Sequence, residues 1–172
     1  MFCLGASAQT SDDCSNAAAI CSGQSYFASN EGATVDICNG CEDGATSAGN
    51  FCFEPNNSIW LSFTTNDTGG DVSVNFSNVN CNTSAGYNTS LQAAIISAAT
   101  PCDESTYTLV SNCESGSSSA FSLSATGLNA NTTYYIQIDG DSLAGDTNPA
   151  ECGFNVLLSG EGVVQNIYAG ED

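Results

Sequence analysis

Lysine, arginine and histidine are all absent from the 172 residues, while Asp and Glu number 19, giving a formal net charge of −19. Phosphate backbones are gripped by Lys and Arg, so these absences argue against nucleic-acid binding. Anionic lipid surfaces would repel such a chain. No apolar run approaches the length of a membrane-spanning helix, and no membrane insertion is expected. Without His or Lys, a serine has no neighbouring base to activate it, and Schiff-base chemistry has no amine. No internal ion pair can form except through the N-terminal amine. Stability must then come from apolar burial, hydrogen bonds, cross-links or bound cations.

What is present fits that requirement. Hydrophobic residues make up 41% of the chain, enough for one domain with a real core. Ten cysteines supply cross-links: Cys3, Cys14, Cys21, Cys38, Cys41, Cys52, Cys81, Cys102, Cys113 and Cys152. With no His to share a metal, they read as disulfides made in an oxidising compartment. Cys38 and Cys41 form a C-x-x-C, but no second ligand pair accompanies them, so a structural disulfide is the reading. Cys102 and Cys113 flank one short strand with turns and are expected to pair. Cys38, Cys41 and Cys52 are expected to pair in the N-terminal third, with Cys14 or Cys21 drawn in; Cys81 and Cys152 are left unassigned. The start, MFCLGASAQ, carries an Ala6-Ser7-Ala8 pattern before Gln9 and reads as the remnant of a signal peptide, residues 1–8.

Short alternating runs between Gly, Asn, Asp and Ser clusters predict strands at 24–28, 33–37, 58–64, 71–76, 91–97, 107–111, 120–125, 133–139 and 153–159. Period-two alternation is clearest in Ile59/Leu61/Phe63, Val72/Val74/Phe76, Tyr134/Ile136/Ile138 and Phe154/Val156/Leu158. Residues 12–20 allow one or two helical turns. Residues 90–99 have helical propensity too, though the Ile95-Ile96 pair suits a buried strand equally well. The turn at 66–70 suggests that its flanking strands form a hairpin. Glu114 to Ser119 reads as a flexible loop. The pattern predicts an all-β antiparallel sandwich of jelly-roll type with about eight or nine strands in one domain, 9–160. Residues 161–172 read as the start of a linker to a further module.

The order IWLSFTTNDTGGDVSVNF, NTSLQAAIISAATPCDESTYTLVSNCES and LSATGLNANTTYYIQIDGD resembles the pre-peptidase C-terminal (PPC-like) domains of large secreted Bacteroidetes-type proteins. The likeness covers residues 56–159, and 12–37 resembles the usual D-x-C-x-x-A lead-in. The resemblance implies a jelly-roll sandwich with no catalytic residues, carried by adhesins, cell-surface proteins and peptidases. Where family members often have Asn-Asp-Asp, this chain has Asn112-Cys113-Glu114, so no acidic cation site is expected there.

Two features could carry chemistry. Asp139, Asp141 and Asp146 share one Gly-containing loop whose oxygen ligands suit Ca²⁺; the alternative is a solvated acidic turn. Trp60, the only tryptophan, lies on the face opposite Ile59, Leu61 and Phe63 and is either packing or a sugar-stacking platform. The resulting expectation is a non-catalytic, secreted cell-surface or adhesion module, with neighbouring modules, surface glycans or surface proteins as partners. The alternatives are a carbohydrate-binding or glycoside-hydrolysing module using Trp60 and acidic loops, and the accessory domain of a secreted peptidase.

Overall fold

Apolar residues at every second position need an interior on one side only, and two sheets laid face to face provide it. The structure, a computed structural model, describes residues 11–34, 53, 55–142 and 148–164. Its strands are β1 (Ala18–Ala19), β2 (Ser25–Ser29), β3 (Ile59–Thr64), β4 (Gly70–Cys81), β5 (Leu91–Ala98), β6 (Tyr107–Leu109), β7 (Glu114–Ser117), β8 (Phe121–Leu128), β9 (Thr133–Gly140) and β10 (Cys152–Ser159). A four-stranded sheet runs β2-β10-β4-β8; a six-stranded sheet runs β1-β3-β9-β5-β6, with β7 also on β5. From β2 to β5, and again from β8 to β10, successive strands change sheet. That order is the jelly roll, and among the described residues every pairing of these strands is antiparallel except β1 on β3.

The two sheets bury different amounts of surface. In the four-stranded sheet, Val72, Val74, Phe76, Leu123, Phe154, Val156 and Leu158 point inward, and Ser and Asn positions alternate with them. Phe76 stacks on Phe121 at 4.3 Å between ring centres. In the six-stranded sheet, Leu91 to Ile96 and Tyr134 to Gly140 are buried on both faces. Ile59, Leu61, Ile95, Ile136 and Ile138 face the core, while Trp60, Ile96, Tyr107 and Tyr135 form a second cluster outside the sheet. Burying each large side chain contributes about 1.5–3 kcal/mol.

Several sequence expectations change. Strands β3 and β4 are not a hairpin: β3 pairs with β9, and β4 with β10 and β8. The turn between them carries the chain from one sheet to the other, because its inward-facing side chains must serve both walls of one core. Residues 12–20 form a 3-10 turn, Cys14–Asn16, and then β1, with Asp13 capping the turn through Ser15 N. Of residues 90–99, Leu91–Ala98 is strand β5, as the Ile95-Ile96 pair suits. Glu114 opens β7 on the β5 edge instead of a loop. The packed chain runs past 160, with Val163 buried and Gly162 N donating to Asp71 O. The strand expected at 33–37 lies largely outside the described residues, as does the segment 1–8.

Cys102 is bonded to Cys14, so it does not pair with Cys113, and Cys14 does not join the group at 38–52. The bridge fixes the 3-10 turn beside Trp60 and Tyr107, where apolar contact outweighs closeness in sequence. Cys81 and Cys152, directly opposite in β4 and β10, form a second disulfide. Cys21 and Cys113 each take part in a further disulfide. Cys3, Cys38, Cys41 and Cys52 lie outside the described residues.

Candidate functional site

Asp139 sits near the end of β9 with no exposed surface. Its Oδ1 accepts from Asn56 N at 2.9 Å, Asn57 N at 2.8 Å and Ser58 Oγ at 2.9 Å. Its Oδ2 accepts from Gln92 Nε2 at 2.8 Å. Burial pushes the carboxyl pKa above its ordinary value, against these four hydrogen bonds, which pull it down. The group ties the run-in to β3 onto both β9 and β5.

The surrounding polar groups continue the tie. Asn57 accepts from Gly140 N at 2.9 Å and donates to Ala150 O at 3.0 Å. Asn30 donates to the same carbonyl at 2.8 Å and accepts from Cys152 N at 2.7 Å. Gly140 has to be glycine, since a Cβ there would collide with Ala150 O and Asn57 Oδ1. On the next rung, Gln137 Nε2 donates to Ser58 Oγ at 3.0 Å.

This geometry bears on the proposed calcium loop. Both oxygens of Asp139 are engaged by donors of the chain itself, which leaves it poorly suited to a cation. Asp141 accepts from Ser90 Oγ at 3.2 Å, and Asp146 lies outside the described residues. Among the described residues, no group of three acidic or thiol side chains is placed to hold a metal. Trp60 is 2% exposed beneath the N-terminal segment, where its backbone N–H donates to Ser11 O. A buried indole cannot stack on a sugar, and Trp60 instead packs against Tyr107 at 5.9 Å between ring centres.

Open surface lies instead beside the turn joining β8 to β9. Thr65 Oγ1 holds that turn by donating to Asn129 O at 2.6 Å and accepting from Thr132 N at 3.0 Å. Asn131, at φ 49°, supplies the left-handed residue the turn needs. A cleft of about 740 Å³ opens on the β3 side of the turn and one of about 520 Å³ on the β5 side. The larger has Ile20, Phe63, Leu158 and Val163 as apolar lining, and Gln24, Thr64, Asn66, Asn131 and Thr133 among its polar groups. None of its lining residues carries a charge.

Ser58, Gln92 and Gln137 carry no site motif in the sequence, and the cleft's Phe63 and Leu158 stand out there only as strand residues. A signal existed for the two glutamines, each a polar break inside an apolar run, LQAAII and YYIQI. The cleft had no such signal, since it is assembled from segments far apart in the chain. The chain matches no protein-family model and no curated protein.

Proposed function

We propose that the chain is a non-catalytic binding module of a larger secreted, cell-surface protein, with the neutral cleft beside the β8–β9 turn as its ligand site. The observation that carries this reading is a lining wholly free of charge in a chain of net charge −19. Hydroxyl and amide groups over an apolar base suit a neutral, hydroxyl-bearing ligand, such as a surface glycan. Loops at the ends of a sandwich commonly carry recognition while the strands carry the fold. The disulfides fit an oxidising, extracellular type of compartment. The resemblance to PPC-like domains supports the same reading, with neighbouring modules supplying multivalency for a weak single site.

The test is a neutral-glycan array run beside a hydrolysis panel of peptides, esters and glycosides. Binding without turnover is expected, and Thr133→Phe, which fills the cleft at an exposed strand position, should abolish it without lowering the melting temperature. Hydrolysis lost on substituting one carboxylate would overturn the reading.

A further inference from the structure

The outer face of the six-stranded sheet buries a hydroxyl, a carboxylate and a primary carboxamide in mutual contact. Ser58 Oγ donates to Asp139 Oδ1 at 2.9 Å and accepts from Gln137 Nε2 at 3.0 Å. Ser58 and Asp139 have no exposed surface, and Gln137 is 2% exposed. Gln137 Oε1 is buried with no hydrogen-bond partner. So is Trp60 Nε1, on the residue directly paired with Gln137 across β3 and β9. An unpartnered acceptor and an unpartnered donor therefore lie on one rung, next to a hydroxyl already bonded to a base. Orphaned buried polar atoms are costly, and a folded protein seldom keeps two on neighbouring residues.

We propose that Ser58 and Gln137 condense within the folded protein to an ester that links β3 to β9. The Ser58 Oγ–Gln137 Cδ bond forms as Asp139 takes the hydroxyl proton. The charge that develops on Oε1 is met by the indole N–H of Trp60, the otherwise unused donor on that rung. Asp139 then returns the proton to Nε2, the Cδ–Nε2 bond breaks and ammonia leaves. Asp139 ends as it began, and neither oxidant nor reductant takes part. Three fixed groups in contact supply the proximity such a step needs. Exclusion of water protects the product from hydrolysis. This inference is independent of what the cleft binds.

Intact-mass measurement of the full-length chain, denatured and fully reduced, decides the matter. The expected result is a mass lower than the sequence by one ammonia. Peptide mapping should place the loss in a linked pair containing Ser58 and Gln137, and alkaline hydroxylamine should cleave that link in the denatured chain. Ser58→Ala, a minimal change, should restore the full mass. A full mass in the unsubstituted protein, or an ammonia loss located elsewhere, overturns the proposal.

Discussion

A buried carboxylate with no basic side chain to pair with is the central residue-scale feature of this chain. Asp139 is neutralised by no Lys, Arg or His, because none exists, and is held by four donors instead. Its folded pKa is raised, so the native state holds the proton more tightly than the unfolded chain does. The stability this group contributes is therefore complete below the ordinary carboxylate range and is lost as pH rises through the raised value. Asp12 acts in the opposite sense: its hydrogen bond from Thr34 lowers its pKa, but that bond is open to solvent and its effect is small. Thermal melts at constant ionic strength should show a melting temperature that falls from about pH 4 toward pH 7. Asp139→Asn should flatten that slope. An unchanged slope in the variant would assign the effect to the general negative charge.

At the scale of the elements, the two disulfides paired among the described residues do different work. Cys81–Cys152 joins strands that are already paired, while Cys14–Cys102 ties the N-terminal turn over the outer face of the other sheet. They span 71 and 88 residues, and loops of that size correspond to about 4 kcal/mol each in the chain-entropy account. Cys14→Ala with Cys102→Ala should also expose Trp60, which hydrogen exchange at the indole N–H and a red-shifted emission would report. Cys81→Ala with Cys152→Ala should lower stability with no change in the indole signals. The strands themselves were largely legible, since Ile59/Leu61/Phe63 and Phe154/Val156/Leu158 alternate with period two. The arch between β3 and β4 was not, because an Asn-Asp-Thr-Gly-Gly turn suits a hairpin and a crossing between sheets equally. The partner of Cys102 was hidden for a related reason: a contact made by tertiary packing leaves no trace in local spacing.

On the whole-molecule scale, the chain carries 19 acidic side chains and no basic one, while its cleft is neutral. Such a molecule repels itself, and screening relieves part of the strain. Raising NaCl from about 20 to about 500 mM, where the Debye length falls well below the molecular diameter, should raise the melting temperature steadily. A neutral ligand in the cleft should bind with little salt dependence, which calorimetry at both concentrations would show. Steep weakening with salt would instead identify a cationic partner recognised by the acidic surface.

The strand order has a consequence for how the molecule comes into being. β2 pairs with β10, the last strand of the sandwich, and β3 finds β9. Contacts so distant in sequence make for slow folding, in the millisecond-to-second range. A chain delivered from its N-terminus therefore cannot complete either sheet until nearly all of it has arrived. During that wait its Val, Ile and Phe runs stand open, and repulsion between like charges is what keeps one unfinished copy from another.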